Sequence, residues 1–249
     1  MTWNFGDILD TIIPVLPQGH LALVHGAREI TWQEMDQRSN NLGRYMLDNG
    51  ANFGDKVGFY MRNRPEYMET LAACFRARLT HVNVNYRYVA DEVHYIFDNS
   101  DASVVVYGKE FRDNVEILRP RLPKVKLWIE VGDGADLPAD SLDYETLTSI
   151  GTGENLDVER DGDDLLFLYT GGTTGMPKGV MQTHESNVIP IDRFKQAFAT
   201  PPKGRFFSYL PLSHIAERQV VEYGSLINGG SVYFNENLTT LLRDLPACR

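Results

Sequence analysis

Leu165-Leu166-Phe167-Leu168-Tyr169-Thr170-Gly171-Gly172-Thr173-Thr174-Gly175-Met176-Pro177-Lys178-Gly179-Val180 decides how this chain is read. A buried apolar stretch empties into Gly, Thr, Pro and one Lys. A strand that ends this way builds an anion-binding loop. Glycine lets the backbone approach a phosphate closely and adopt positive φ. Successive N–H groups then converge on an oxyanion. The hydroxyls of Thr170, Thr173, Thr174 and, past the loop, Thr183 add donors or metal contacts. Lys178 supplies a compact cation suited to a phosphate. The plainer alternative is a Gly-rich connection between two strands, but a solvated turn has no need of so many hydroxyls around one lysine.

The familiar phosphate loops do not fit. A Walker loop needs Gly-Lys followed by Ser or Thr, whereas Lys178 follows Pro177 and precedes Gly179. The dinucleotide pattern needs Gly-x-Gly-x-x-Gly. Gly172 and Gly175 keep its last spacing, but Thr170 stands where its first glycine belongs. Pro177 also denies the loop a direct slide into a helix interior.

The run resembles the signature Tyr-Thr-Ser-Gly-Thr-Thr-Gly-x-Pro-Lys-Gly-Val of the adenylate-forming superfamily, which comprises acyl-CoA synthetases, adenylation domains of peptide synthetases and luciferases. Gly171 stands where that pattern has Ser, which removes a hydroxyl donor and loosens the loop. Leu210-Pro211-Leu212-Ser213-His214-Ile215-Ala216-Glu217-Arg218 resembles the next family motif in the form seen in fatty-acyl-CoA synthetases. Val82-Asn83-Val84-Asn85-Tyr86-Arg87-Tyr88 looks like the matching segment of bacterial fatty-acyl and sterol-side-chain CoA ligases. The resemblance runs from about Phe5 to the last residue.

The resemblance implies a reaction. A carboxylate attacks the α-phosphorus of ATP, pyrophosphate leaves, and the thiol of CoA displaces AMP from the acyl-adenylate. Thr170, Gly171, Gly172, Thr173, Thr174, Gly175 and Lys178 would hold the β- and γ-phosphates, with Lys178 acting catalytically. Mg²⁺ would bridge phosphate oxygens, with Thr174 as its candidate ligand and Thr173 as the neighbouring choice. His214 would line the acyl site and orient the carboxylate or the α-phosphate; the alternative is a buried ring with a satisfied nitrogen. Glu217 and Arg218 read as an ion pair within or between helices. Tyr223 and Gly224 border the acyl tunnel or form a plain core face. His184 reads as structural, and His20, His25, His81 and His94 have no partner pattern. Arg87, flanked by tyrosines, reads as a loop anchor paired with a nearby carboxylate rather than as a ligand for a CoA phosphate.

Composition bounds the partners. Net charge is −10, hydrophobic residues make up 43% and charged residues 23%, ordinary values for a globular protein. No basic stripe suggests a nucleic-acid surface. Cys74 and Cys248 form no metal spacing and read as reduced thiols. The N-terminus has no secretory pattern, and no apolar run reaches the length of a membrane span. A cytoplasmic protein is expected, and loose contact with a membrane surface stays open because acyl substrates reside there.

Alternating elements predict an α/β fold, layered sheets flanked by helices. Thr31-Trp32-Gln33-Glu34 is a capping box opening a helix to about Asp48. Lys56 to Met61 reads as a strand, Pro65 as a helix start, and Asp91 with Glu92 as another first turn. Strands are expected at Ser103 to Tyr107 and Val125 to Val131, with a helix at Glu110 to Leu118 between them. Gly132 to Gly162 reads as an acidic surface connection with one helical turn. It separates an N-terminal subdomain, 1–150, from a phosphate-loop subdomain, 151–249. Beyond the loop, helices are expected at Asn187 to Phe198 and Ala216 to Asn228. Strands are expected at Arg205 to Leu210 and Ser231 to Phe234.

The superfamily's aromatic-Gly-x-Thr-Glu and Thr-Gly-Asp segments do not occur in this sequence, nor does its small C-terminal domain with a catalytic Lys. The chain therefore reads as the first half of an adenylating enzyme, by itself a weak ATP binder without turnover, with exposed surface favouring self-association. Two alternatives stand beside the CoA ligase: a module that loads a carrier protein, and a half-length binding protein without catalysis. A fatty acid, a sterol side chain or an aromatic acid would all fit the visible residues.

Overall fold

The structure, a computed structural model, describes residues 3–170, 176–197 and 201–248. Helix α1 (Phe5–Ile12) starts at Asn4, whose side chain accepts a hydrogen bond from the Gly6 amide at 2.8 Å. The hairpin β1 (Leu21–His25) and β2 (Arg28–Thr31) leads into α2 (Trp32–Asp48). The expected capping box is present: the Glu34 amide donates to Thr31 Oγ1 at 3.1 Å, and Glu34 accepts from the Thr31 amide at 2.8 Å. Then follow β3 (Lys56–Tyr60), α3 (Pro65–Arg76), β4 (Thr80–Asn83), α4 (Ala90–Asn99), β5 (Ala102–Gly108), α5 (Arg112–Leu118) and β6 (Leu127–Val131). Pro65 opens α3, where its missing N–H costs nothing. The chain continues through β7 (Leu142–Asp143), α6 (Tyr144–Ser149), β8 (Leu165–Thr170), β9 (Lys178–Thr183) and α7 (His184–Ala197). The last described elements are β10 (Arg205–Ser208), α8 (Ile215–Glu217), a π-helical turn (Arg218–Tyr223), α9 (Gly224–Asn228), β11 (Ser231–Phe234) and α10 (Leu241–Asp244).

The layered α/β architecture is the expected one. Among the described residues, β4-β3-β5-β6-β7 form a parallel sheet, β10-β11-β1-β2 a mixed sheet, and β8-β9 an antiparallel hairpin. Strand side chains alternate between faces. Val57 and Phe59, Val104 and Val106, Ile129 and Val131 enter one core with α3. Tyr60, Val105, Tyr107 and Trp128 enter a second core with Val93, Phe97 and Leu118 of α4 and α5. Both faces of the parallel sheet are covered, which explains the unbroken Val104-Val105-Val106 run.

The Gly132 to Gly162 segment contains the expected helical turn, α6, but departs from a plain surface connection. Leu142 and Asp143 complete the parallel sheet against β6. Tyr144 is fully buried, and its hydroxyl donates to Glu69 at 3.1 Å. Its acidic, Gly-rich composition concealed this because the buried residues are few and widely spaced. The subdomain boundary near residue 150 is crossed by tertiary structure: β1 pairs in parallel with β11, Leu23 opposite Val232. The Phe5 ring lies 5.0 Å from Phe75 and 4.6 Å from Tyr223, so one core draws on both sides of that boundary.

The helix expected at Ala216 to Asn228 runs from Ile215, with the wider π turn inside it. It ends as expected at Gly229, whose φ of 61° is the left-handed conformation of a helix C-terminus.

Candidate active site

The phosphate-loop candidate sits at the tip of the β8–β9 hairpin. Thr170 and Lys178 face each other across its last register position. Gly171, Gly172, Thr173, Thr174 and Gly175 lie outside the described residues. The loop is therefore also a connection between two strands, the topology of the plainer reading. Pro177 is followed by strand and not by helix. Leu166 and Leu168 are buried and set the hairpin into the body of the molecule. The Tyr169 hydroxyl donates to Asn99 at the end of α4, 2.9 Å away. Gly179 stands opposite Tyr169, and a Cβ there would lie 3.1 Å from the Tyr169 ring. Lys178 is exposed and makes no ion pair among the described residues. An unpaired cation beside a threonine hydroxyl at a hairpin tip is free to meet an anion.

The second part of the site is the segment before α8. Asn63, after β3, donates to Ser208 Oγ at 2.9 Å and to the Leu210 carbonyl at 2.5 Å, and accepts from the Leu212 amide at 3.0 Å. Asn83, at the end of β4, donates to the Leu212 carbonyl at 3.1 Å. These two clamps fix the turn that presents His214. The ring does not sit in the core: it is exposed, and its Nδ1 accepts from the Ala216 amide at 3.2 Å, capping α8. A nitrogen that accepts a hydrogen bond carries no proton, so Nε2 bears the N–H and is a donor. Asn83, Tyr88, Tyr169, Thr170, Pro211 and His214 line one cavity of about 370 Å³. The structure thus brings His214 and Thr170 together, on the side of the hairpin tip.

Beneath this cavity lies a buried polar cluster. Arg218 is 0% exposed; its guanidinium donates to the Phe167 carbonyl at 2.7 Å and to Asn83 Oδ1. Its carboxylate partner is Glu222 at 3.7 Å, one helical turn on, and not the adjacent Glu217. Glu217 instead accepts from the Tyr209 amide at 2.9 Å. Burial drives the Glu222 carboxyl up to about 8, although Arg218 pulls it down. Tyr223 is fully buried beside Phe5, which resolves it as core. His184 is structural, as expected: buried, its Nδ1 accepts from the Phe5 amide at 3.1 Å, and burial lowers its pKa to about 4. His20 and His94 approach backbone carbonyls of Gly229 and Arg121, and both ring nitrogens of the buried His81 have no hydrogen-bond partner. Arg87 is corrected. It pairs with no carboxylate among the described residues, and its guanidinium lies over the Tyr86 ring at 4.8 Å, where a π face supplies the attraction.

Sequence reasoning did not single out Asn63 or Asn83 as clamps. The available signal was an Asn at or just beyond the C-terminal end of consecutive strands, where side-chain amides reach neighbouring backbone. Among the described residues no group of three or more His, Cys, Asp or Glu gathers to hold a metal. The candidate ligand Thr174 lies outside the described residues.

Residues 15–247 match the family described as AMP-binding enzyme. The chain belongs to that family. It is 39% identical over 188 residues to a 3-oxocholest-4-en-26-oate–CoA ligase of Rhodococcus rhodochrous, covering 74% of this chain and 34% of that relative. It is 35% identical over 256 residues to a medium/long-chain-fatty-acid–CoA/3-oxocholest-4-en-26-oate–CoA ligase of Mycolicibacterium smegmatis, covering 93% of this chain and 45% of that relative. The chain therefore spans less than half the length of these AMP-binding relatives. Among solved structures it resembles the N-terminal domain of FACL13 from Mycobacterium tuberculosis, with a TM-score of 0.80 at 25% identity, over 98% of this chain and 60% of that one. A long-chain-fatty-acid CoA ligase from Rhodopseudomonas palustris shares the fold, with a TM-score of 0.87 at 23% identity over 99% of this chain and 61% of that one. No helix among the described residues is long and apolar enough to cross a membrane.

Proposed function

We propose that this chain carries the phosphate-binding hairpin and part of the acyl-site wall of an ATP-dependent acyl-CoA ligase. The observation that supports this most is the shared cavity of Thr170 and His214, beside a Lys178 that no carboxylate neutralises among the described residues. The substrate is a fatty or similar hydrophobic carboxylic acid, as the names of the relatives suggest. ATP is the nucleotide and CoA the acceptor. Mg²⁺ would enter with the phosphates of ATP and neutralise part of their charge, with Thr174 as its candidate ligand in the chain.

The chain's own groups serve the first half-reaction. A carboxylate oxygen forms a bond to the α-phosphorus while the bond from that phosphorus to the bridging oxygen breaks and pyrophosphate leaves. Lys178 and Thr170 hold the departing phosphates. The Nε2–H of His214 donates to the carboxylate or an α-phosphate oxygen and so orients the attack. Such catalysis is positioning and charge stabilisation rather than covalent chemistry. In the second half-reaction the thiol attacks the acyl carbonyl and AMP leaves.

The test is acid-dependent ATP–pyrophosphate exchange, followed by CoA-dependent thioester formation, on the protein as its own cells make it. Lys178→Ala is expected to lower kcat/KM for ATP by about 10²–10³. Exchange without any carboxylic acid, or an unchanged variant, rejects the reading. Acyl transfer to a carrier-protein phosphopantetheine with CoA ignored would replace CoA as the acceptor. For the 249-residue chain alone we propose weak ATP binding without measurable turnover, because the motifs to which the resemblance assigns adenine stacking and ribose binding do not occur in it.

A further inference from the structure

We propose that Arg218 is a positioning residue that sets the phosphate-binding hairpin in place against His214. The proposal rests on the ligase reading, and Arg218 itself touches no substrate in it.

The geometry carries the argument. The guanidinium is completely buried, yet its close contacts are with neutral acceptors on two other elements. One is the Phe167 carbonyl of β8, at 2.7 Å, and the other is Asn83 Oδ1 of β4. The Glu222 carboxylate lies farther, at 3.7 Å, and neither of its oxygens has a hydrogen-bond partner. A guanidinium buried only to neutralise a carboxylate would make that contact the nearest one. Here the fork bridges elements instead. Asn83 in turn donates to the Leu212 carbonyl at 3.1 Å, and the Arg218 amide donates to the His214 carbonyl at 3.0 Å. One side chain therefore joins β8, β4 and the turn bearing His214, all of which line the same cavity.

Strand β8 is paired with β9 at each position from Leu165 to Thr170, and Phe167 lies in the same strand as Thr170. A displacement at Phe167 passes along the strand to Thr170 and, through the register, to Lys178. Misplacement of reacting groups by about 1 Å costs about 10²-fold in rate. Lysine cannot replace the fork, because its point-like ammonium reaches one acceptor well but not two in fixed directions. The π turn begins at Arg218, and π turns inside helices recur at functional sites.

The experiment compares wild type with Arg218→Lys, both in the protein as its own cells make it; the lysine keeps the charge opposite Glu222. Hydrogen exchange of the amides in 165–170 and 178–183 is measured beside those of β5, and ATP–pyrophosphate exchange is run on the same samples. Positioning predicts exchange faster by about tenfold or more in the hairpin with β5 unchanged. It also predicts an ATP KM raised and kcat lowered by about tenfold or more. Equal acceleration in β5 and the hairpin, or no change in either the hairpin or the kinetics, overturns it. Should Arg218→Lys fail to fold, Asn83→Ala removes one arm of the bridge and must show the same hairpin-selective pattern. If wild type shows no acid-dependent exchange activity, the ligase reading fails, while hydrogen exchange still decides whether Arg218 holds the hairpin.

Discussion

Gly179 shows how a motif residue acts without touching a ligand. It stands across the hairpin from Tyr169, whose ring would lie 3.1 Å from a Cβ and would have to give by a few tenths of an ångström. Its 2.9 Å hydrogen bond to Asn99 resists that shift. We expect Gly179→Ala to lower stability by about 1–3 kcal/mol in urea unfolding. The same substitution in a Tyr169→Leu background should cost much less; equal costs in both backgrounds would refute the close-approach explanation. At this scale Lys178, Thr170 and His214 were legible because their residue types and spacing form motifs. Asn63 and Asn83 were not, because a clamping asparagine is identified by the backbone it reaches, which lies far away in sequence. Arg87 was misread for a related reason: a sequence shows flanking tyrosines and distant carboxylates alike, and only the fold showed that Tyr86 is the neighbour.

The helical stretch from α8 through α9 carries a titrating group in its π turn. Burial pushes Glu222 up to about 8 against an opposing pull from Arg218, with Glu217 adding to the rise. The folded state thus retains a proton that the unfolded state releases near the ordinary carboxylate range. Between that range and about 8 the unfolded chain binds fewer protons, so this group makes stability fall as pH rises. Glu222→Gln imitates the protonated side chain and should remove that component. Melting temperatures of wild type and variant from pH 5 to 8 should converge at the acid end and diverge toward pH 8, with the variant higher. Parallel curves would show that Glu222 does not titrate in this window. His184 acts in the opposite direction: held to about 4 by burial, it adds stability as pH rises toward the ordinary imidazole range. It is common to both proteins and cancels in the difference. The helices and strands with caps, prolines or apolar periodicity were read closely. Strand β9 was not, because its first four residues are exposed and show no alternation.

The whole molecule is held by a core that ignores the order of the chain. Helix α1 places Phe5 against Phe75 of α3 and Tyr223 of the π turn, while β1 lies between β11 and β2. Pieces cut after residue 150 should therefore not fold separately. We expect 1–150 and 151–249 each to show poor amide dispersion alone and to regain native signals when mixed. Independent cooperative unfolding of either piece would show that the boundary suggested by the acidic, Gly-rich segment is also a folding boundary.

The local sequence determined the Gly- and Thr-rich make-up of the loop on which the proposed phosphate site rests, the places where helices start and stop, the buried strands and the histidine of the second motif. Each of these depends on neighbouring residues: glycine and threonine chemistry, proline geometry, capping hydroxyls and short apolar runs. Tertiary structure alone decided that Thr170 shares a cavity with His214, that Asn63 and Asn83 clamp the turn between them, and that Arg218 bridges β8 to β4. Those contacts join residues far apart in sequence: 51 positions separate Phe167 from Arg218 and 149 separate Asn63 from Leu212. Their energies come from buried polar groups finding partners in a low-dielectric interior, a requirement that becomes definite only once the strands are side by side.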